Sequence, residues 1–118
     1  MLILIAGPYR SGTNDDRELM RQNLANLEAV SLPLFRLGHT PMIGEWVALP
    51  LLNLAGSAKV GDAAYEEILY PVAHRLLLKC DAVFRIEGAS NGADEDVRIA
   101  KERGLKIYYR LEDVPHAE

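Results

Sequence analysis

The chain has 118 residues, 49% of them apolar and 25% charged, and its net charge is −4. These values fit one folded domain over residues 1–118. The acidic balance argues against a nucleic-acid polymer as partner, which calls for a basic stripe, and no apolar run approaches the length of a membrane span.

Leu2-Ile-Leu-Ile-Ala6 is continuously apolar, as a strand covered on both faces is. It is too short for a signal-peptide core and has no basic flank before it. The single cysteine, Cys80, excludes an internal disulfide and fits a reducing compartment, so the cytoplasm is the expected location.

Asn14, Asp15 and Asp16 offer capping oxygens for a helix. Met20, Leu24, Leu27, Val30, Leu34 and Leu37 then recur at helical spacing until Gly38, with Pro33 expected to kink or break the run. Thr40 to Ile43 reads as a short second strand. Gly44 to Gly61 is apolar but broken by Pro50 and small residues, and reads as an irregular or partly helical flap.

Asp62 to Lys79 reads as a helix, interrupted or restarted at Pro71. Ala82 to Ile86 is the next strand and Gly88 to Gly92 a loop. Asp94 to Arg103 is a helix closed by Gly104, and Leu105 to Tyr109 is the last strand. Strands alternating with helices indicate a parallel α/β sheet in a three-layer sandwich, with four or five strands.

Ligands of such folds sit beyond the carboxyl ends of the strands, where the strand order reverses. Two loops have that address: Gly7 to Thr13, and Gly88 to Ala93. Gly7 and Gly12 have the glycine spacing of a triphosphate P-loop, but Thr13 stands where the lysine belongs and Asn14 where the magnesium-binding hydroxyl belongs. A dinucleotide fingerprint fails on glycine spacing. A smaller anion site is left: backbone N–H groups, the Ser11 and Thr13 hydroxyls, and Arg10 as a phosphate fork. A plain β–α turn with a solvated Arg10 is the competing reading. In the second loop, Gly92, Asp96 and Ala100 recur every four residues and so share one helix face. Glu95 and Asp96 alternatively form only a favourable acidic pair near a helix N-terminus.

Together these features resemble the nucleoside 2-deoxyribosyltransferase superfamily, including its short members and its nucleotide N-glycosidase branch. The matching residues are Ile5-Ala-Gly-Pro8, Gly38-His39, Pro41, Cys80-Asp-Ala-Val83, and Ser90-Asn-Gly-Ala93 with Asp96, Ala100 and Gly104. The resemblance implies a flavodoxin-like fold and cleavage of an N-glycosidic bond by a carboxylate nucleophile. It also implies a nucleoside or nucleotide substrate, no cofactor, and a homodimer or larger assembly.

Carried over by position, Asp96 takes the nucleophile's place, where the family usually has glutamate. Glu95 lies about a quarter-turn away on a helix. The family's first-strand tyrosine falls at Ile3 or Leu4, with Tyr9 as a substitute from the loop. Its catalytic aspartate falls near Ala73, beside His74. The resemblance assigns substrate or phosphate contacts to Gly7, Arg10, Ser11, Gly12 and Thr13, and to Ser90, Gly92 and Ala93.

Glu45 and Trp46, on the flap, are candidates for a base pocket by hydrogen bonding and stacking. Leu49 to Leu54 is a candidate dimer surface, against the alternative of burial within one chain. His39, His74 and His116 show no ligand spacing with Cys80, so no metal is expected. Two further readings stand beside the enzyme: a nucleotide-binding module without turnover, and an assembly domain with no ligand.

Overall fold

The computed structural model describes residues 1–117. Its elements in chain order are β1 (Leu2–Ala6), α1 (Arg17–Arg36), β2 (Thr40–Ile43), α2 (Gly44–Leu54), α3 (Ala63–Leu77), β3 (Ala82–Arg85), α4 (Asn91–Glu102) and β4 (Lys106–Tyr108), followed by a 3-10 turn at Leu111–Asp113. The four strands form one parallel sheet in the order β2-β1-β3-β4. Ile5 pairs with Ile43 on one side and with Phe84 on the other. The order reverses at β1, so the crevice between the carboxyl ends of β1 and β3 is the switch point.

Alternation along β1 divides the core between two faces. Ile3 and Ile5 meet Leu27 and Leu34 of α1, together with Ile43, Phe84 and Val114. Leu4 and Ala6 meet Leu77 of α3 and Ala93, Val97 and Ala100 of α4. The result is a flavodoxin-like three-layer α/β fold, with α1 on one face and α3 and α4 on the other.

Leu34 is fully buried while its neighbour Phe35 is 64% exposed. Leu34→Ala should therefore cost about 2–5 kcal/mol in urea unfolding. Phe35→Ala should stay within about 0.5 kcal/mol.

Helix α1 begins at Arg17, where the Asp16 carboxylate accepts the N–H groups of Glu18 at 2.8 Å and Leu19 at 3.3 Å. Asn14 and Asp15 lie in the left-handed region, at φ of 50° and 61°, which short polar side chains tolerate best. Pro33 lies inside the helix and does not end it.

The segment expected to be an irregular flap is in fact helical from Gly44 to Leu54, with Pro50 inside. Burial of Ala48 and Leu52 against the rest of the fold holds this helix together despite the hydrogen bond that proline removes. Only residues beyond Leu54 are irregular. Leu51 and Leu54 of the same helix are exposed, at 41% and 82%.

Helix α4 starts at Asn91, three residues earlier than its sequence pattern suggests. The Ser90 hydroxyl accepts the Ala93 N–H at 3.1 Å and caps it there. No helix of the described residues is long and apolar enough to cross a membrane.

Candidate active site

The switch-point crevice holds a cavity of about 90 Å3. Its first wall is the loop after β1, through Gly7, Tyr9, Arg10 and Ser11. Its second is the start of α4, through Ser90, Gly92, Ala93 and Asp96. Glu45 enters from the first turn of α2, and Leu69, Tyr70 and Ala73 from α3.

The two loops touch. A Cβ on Gly88, at φ +118°, would fall 2.6 Å from Pro8 Cγ. One on Gly7 would fall 2.2 Å from Ile86 Cγ1 and 3.1 Å from Leu27 Cδ2. Gly7→Ala must push Ile86 aside, at an expected cost of about 1–3 kcal/mol in thermal or urea unfolding.

Arg85, at the end of β3, holds the second loop. Its guanidinium donates to the carbonyl oxygens of Ile86 and Gly88 and to the Asp94 carboxylate at 2.9 Å. No sequence motif marks this arginine. Its role depends on the loop folding back over it.

Asp96 and Glu45 are the two carboxyl groups lining the cavity, and both are half-buried. Burial pushes Asp96 up to about 7, the charges of Glu45 and Glu95 add to the shift, and Arg85 opposes it. Burial also pushes Glu45 up to about 7, offset in part by its own backbone N–H. Both acids therefore lose their protons in the neutral range, and the charge of Glu45 makes Asp96 a weaker acid than burial alone would. Tyr9 stands beside them with its phenol raised, first by burial and then by the charge of Glu45, with Arg17 opposing.

Several other candidates lie elsewhere. Glu95 points out of the cavity and binds Arg98, which holds its carboxyl below the usual range. A turn of about 100° per residue separates it from Asp96. Trp46 faces away from Glu45 for the same reason: its indole N–H donates to Glu28 of α1 at 2.8 Å, and it does not line the cavity.

Thr13 is 3% exposed. Its hydroxyl donates to the Arg10 carbonyl at 2.5 Å and accepts the Asp15 N–H at 3.2 Å, so it closes the loop and leaves nothing for an anion. Gly12 supplies the left-handed turn and lies off the cavity wall.

Arg10 lines the cavity but is already engaged. It donates to both oxygens of Asp15, at 2.7 and 3.2 Å. It approaches Glu66 at 3.6 Å and lies 5.3 Å above the Tyr65 ring. Expected as a phosphate fork, Arg10 is here engaged as a clamp on its own loop. Asp15 five residues on and Glu66 on α3 satisfy its charge.

The residues where the resemblance would put further catalytic groups are Ile3, Leu4 and Ala73. Ile3 and Leu4 are buried in the core. Ala73 does line the cavity, whereas His74 does not.

His39 is buried and bonds the Met1 amine at 2.9 Å and the Pro115 carbonyl at 2.6 Å. Cys80 is buried, and burial followed by the charge of Asp81 pushes its thiol up to about 11. Asp81 accepts the Leu2 N–H at 2.7 Å. Among the described residues no group of three or more His, Cys, Asp or Glu side chains converges as metal ligands would.

Fold and cavity together define a flavodoxin-like α/β protein with a paired-carboxylate pocket at its switch point. No family model, no curated protein and no solved structure matches the chain.

Proposed function

We propose that the protein cleaves or exchanges the N-glycosidic bond of a nucleoside or nucleoside 5′-monophosphate, with Asp96 as nucleophile and Glu45 as proton donor. The observation that carries this reading is that Asp96 and Glu45 line one small cavity with proton affinities raised to the neutral range. Two acids with protons exchangeable near neutrality supply what the reaction needs: an ionised carboxylate and a carboxylic acid in one cavity.

The Asp96 carboxylate attacks C1′ as the C1′–N bond breaks through an oxocarbenium-like state. The bonding electrons pass to the base nitrogen, which takes the proton from Glu45. Water then attacks C1′ of the glycosyl ester and gives its proton to Glu45. Asp96 departs as a carboxylate. A second base in place of water completes a transfer. Gly7 and Ser11 on one wall, and Ser90, Gly92 and Ala93 on the other, are the sugar's neighbours in this reading. The small side chains admit close approach, and the first N–H groups of α4 have no partner within their own helix.

Chromatography of nucleosides and their 5′-monophosphates after incubation with the protein tests this. Free base, or exchanged base when a second base is added, is the expected result. A nucleotide-binding module without turnover is the second reading. It is favoured by the apolar residues Ile3 and Leu4, at one of which the resemblance expects a tyrosine, and by Ala73, near which it expects an aspartate. Tight binding with no release or exchange from any substrate would select it.

A further inference from the structure

A larger cavity of about 310 Å3 adjoins the carboxylate pocket, and Tyr9 lines both. Cavities that hold whole small molecules run from about 300 to 1,000 Å3. The carboxylate pocket falls well below that range and the neighbouring cavity reaches it. A nucleotide reacting at Asp96 must therefore place much of itself outside the carboxylate pocket.

The chemistry of the second cavity is unlike that of the first. No acidic residue lines it, and its floor is apolar, through Met20, Leu52 and Val60. Arg17 and Lys59 stand on its rim. Both are exposed, and among the described residues neither forms an ion pair. Among the described residues the Arg17 guanidinium makes one hydrogen bond, a long contact of 3.5 Å to the Ala58 carbonyl. Lys59 is held in place through its backbone. Its N–H and that of Ala58 donate to the Asp62 carboxylate, at 3.2 and 2.8 Å. Arg10, by contrast, has its charge met by Asp15 and Glu66.

Tyr65 supplies a second, independent observation. Its ring lines the larger cavity, the residue is 2% exposed, and its hydroxyl is buried with no hydrogen-bond partner. Burial raises the phenol's proton affinity, so the group is a neutral donor. Buried polar groups without a partner are rare, and one on a residue that lines a cavity is suited to a partner that arrives with a ligand.

Building on the nucleotide reading above, we propose that the substrate's phosphate is held in the larger cavity by Arg17 and Lys59, and not by the glycine loop. Tyr65 acts as a positioning residue, its hydroxyl donating to a sugar-phosphate oxygen of the bound nucleotide.

Calorimetry on an Asp96→Asn background, where no turnover intervenes, tests the assignment. The probes are the deoxynucleoside 5′-monophosphates, the matching nucleosides and inorganic phosphate. The monophosphate that binds best should bind at least tenfold tighter than its nucleoside, and phosphate should compete with it. Arg17→Ala with Lys59→Ala should erase that preference, while Arg10→Lys should keep it. Tyr65→Phe should weaken monophosphate binding severalfold with an unchanged or raised thermal midpoint, because no bond within the protein is lost. A purely structural tyrosine would show the reverse.

A preference that survives in the Arg17/Lys59 double variant, or one lost in folded Arg10→Lys protein, overturns the assignment. So does the absence of monophosphate binding. If binding depends on Arg17 and Lys59 but the wild type releases no base, the phosphate site stands and the glycosidic reading falls. Base release that is indifferent to Arg17 and Lys59 has the opposite meaning.

Discussion

Asp96→Asn should lower kcat for base release by roughly 10³-fold or more, as loss of a nucleophile does. It should leave the protein folded and make it more stable at alkaline pH. Burial makes the Asp96 carboxyl a weaker acid in the folded chain than in the unfolded one. The folded state then binds more protons between about pH 4 and pH 7, so stability falls as pH rises through that window and levels off above it. The asparagine variant has no such charge to bury. Its gain should reach roughly 1–3 kcal/mol at pH 8 and vanish by about pH 2, where the wild-type carboxyl is protonated in both states. Urea unfolding at the two pH values measures this. A variant less stable than wild type at pH 8 would mean that the Asp96 carboxylate is supported by the fold and not strained by it.

Glu45→Gln should produce the second largest effect, and one of a different kind. It removes the proton donor for the departing base, a loss of about 10²-fold for natural nucleosides. It also removes one of the charges that raise Asp96, so the limb of the pH–rate profile that belongs to Asp96 should move to lower pH. A deoxyriboside of nitrophenol, whose leaving group departs without a proton, should release nitrophenol from the variant in a first-turnover burst at nearly the wild-type rate, followed by slow turnover because the water step still lacks its base. Equal losses on natural and activated substrates would assign Glu45 to binding and not to proton transfer. In the wild type the pair predicts a bell-shaped profile with its maximum near neutrality.

These two residues show how far the sequence reaches. Asp96 is legible because Gly92, Asp96 and Ala100 repeat every four residues, which marks one face of a helix wherever that helix begins. The beginning itself is less legible. It depends on whether the Ser90 hydroxyl turns back to the Ala93 N–H, a choice of one side-chain rotamer. Glu45 and Trp46 are indistinguishable as candidates while Gly44 to Gly61 reads as a flap. Once α2 is a helix, adjacent residues diverge by about 100°, and only Glu45 enters the cavity.

The α3 wall had a signal of its own. Tyr65, Leu69 and Ala73 recur at intervals of four, a stripe that periodicity assigns to the core but that lines the two cavities. The engagement of Arg10 had only half a signal. Asp15 lies close in the chain, but Glu66 reaches it only because α3 packs beside the first loop. The pairing of the second cavity with Arg17 and Lys59 joins the start of α1 to the loop before α3. No local pattern connects those segments.

In the proposed reaction a carboxylate on α4 forms a bond to the sugar. Peptide mass mapping after reaction with 2′-deoxy-2′-fluoro nucleosides and their 5′-monophosphates tests it most directly, since the fluorine slows breakdown of a glycosyl ester. One fluoroglycosyl adduct is expected, on the peptide containing Asp96, and none in Asp96→Asn protein. Base release by the wild type with no adduct, or with an adduct on another residue, would contradict it.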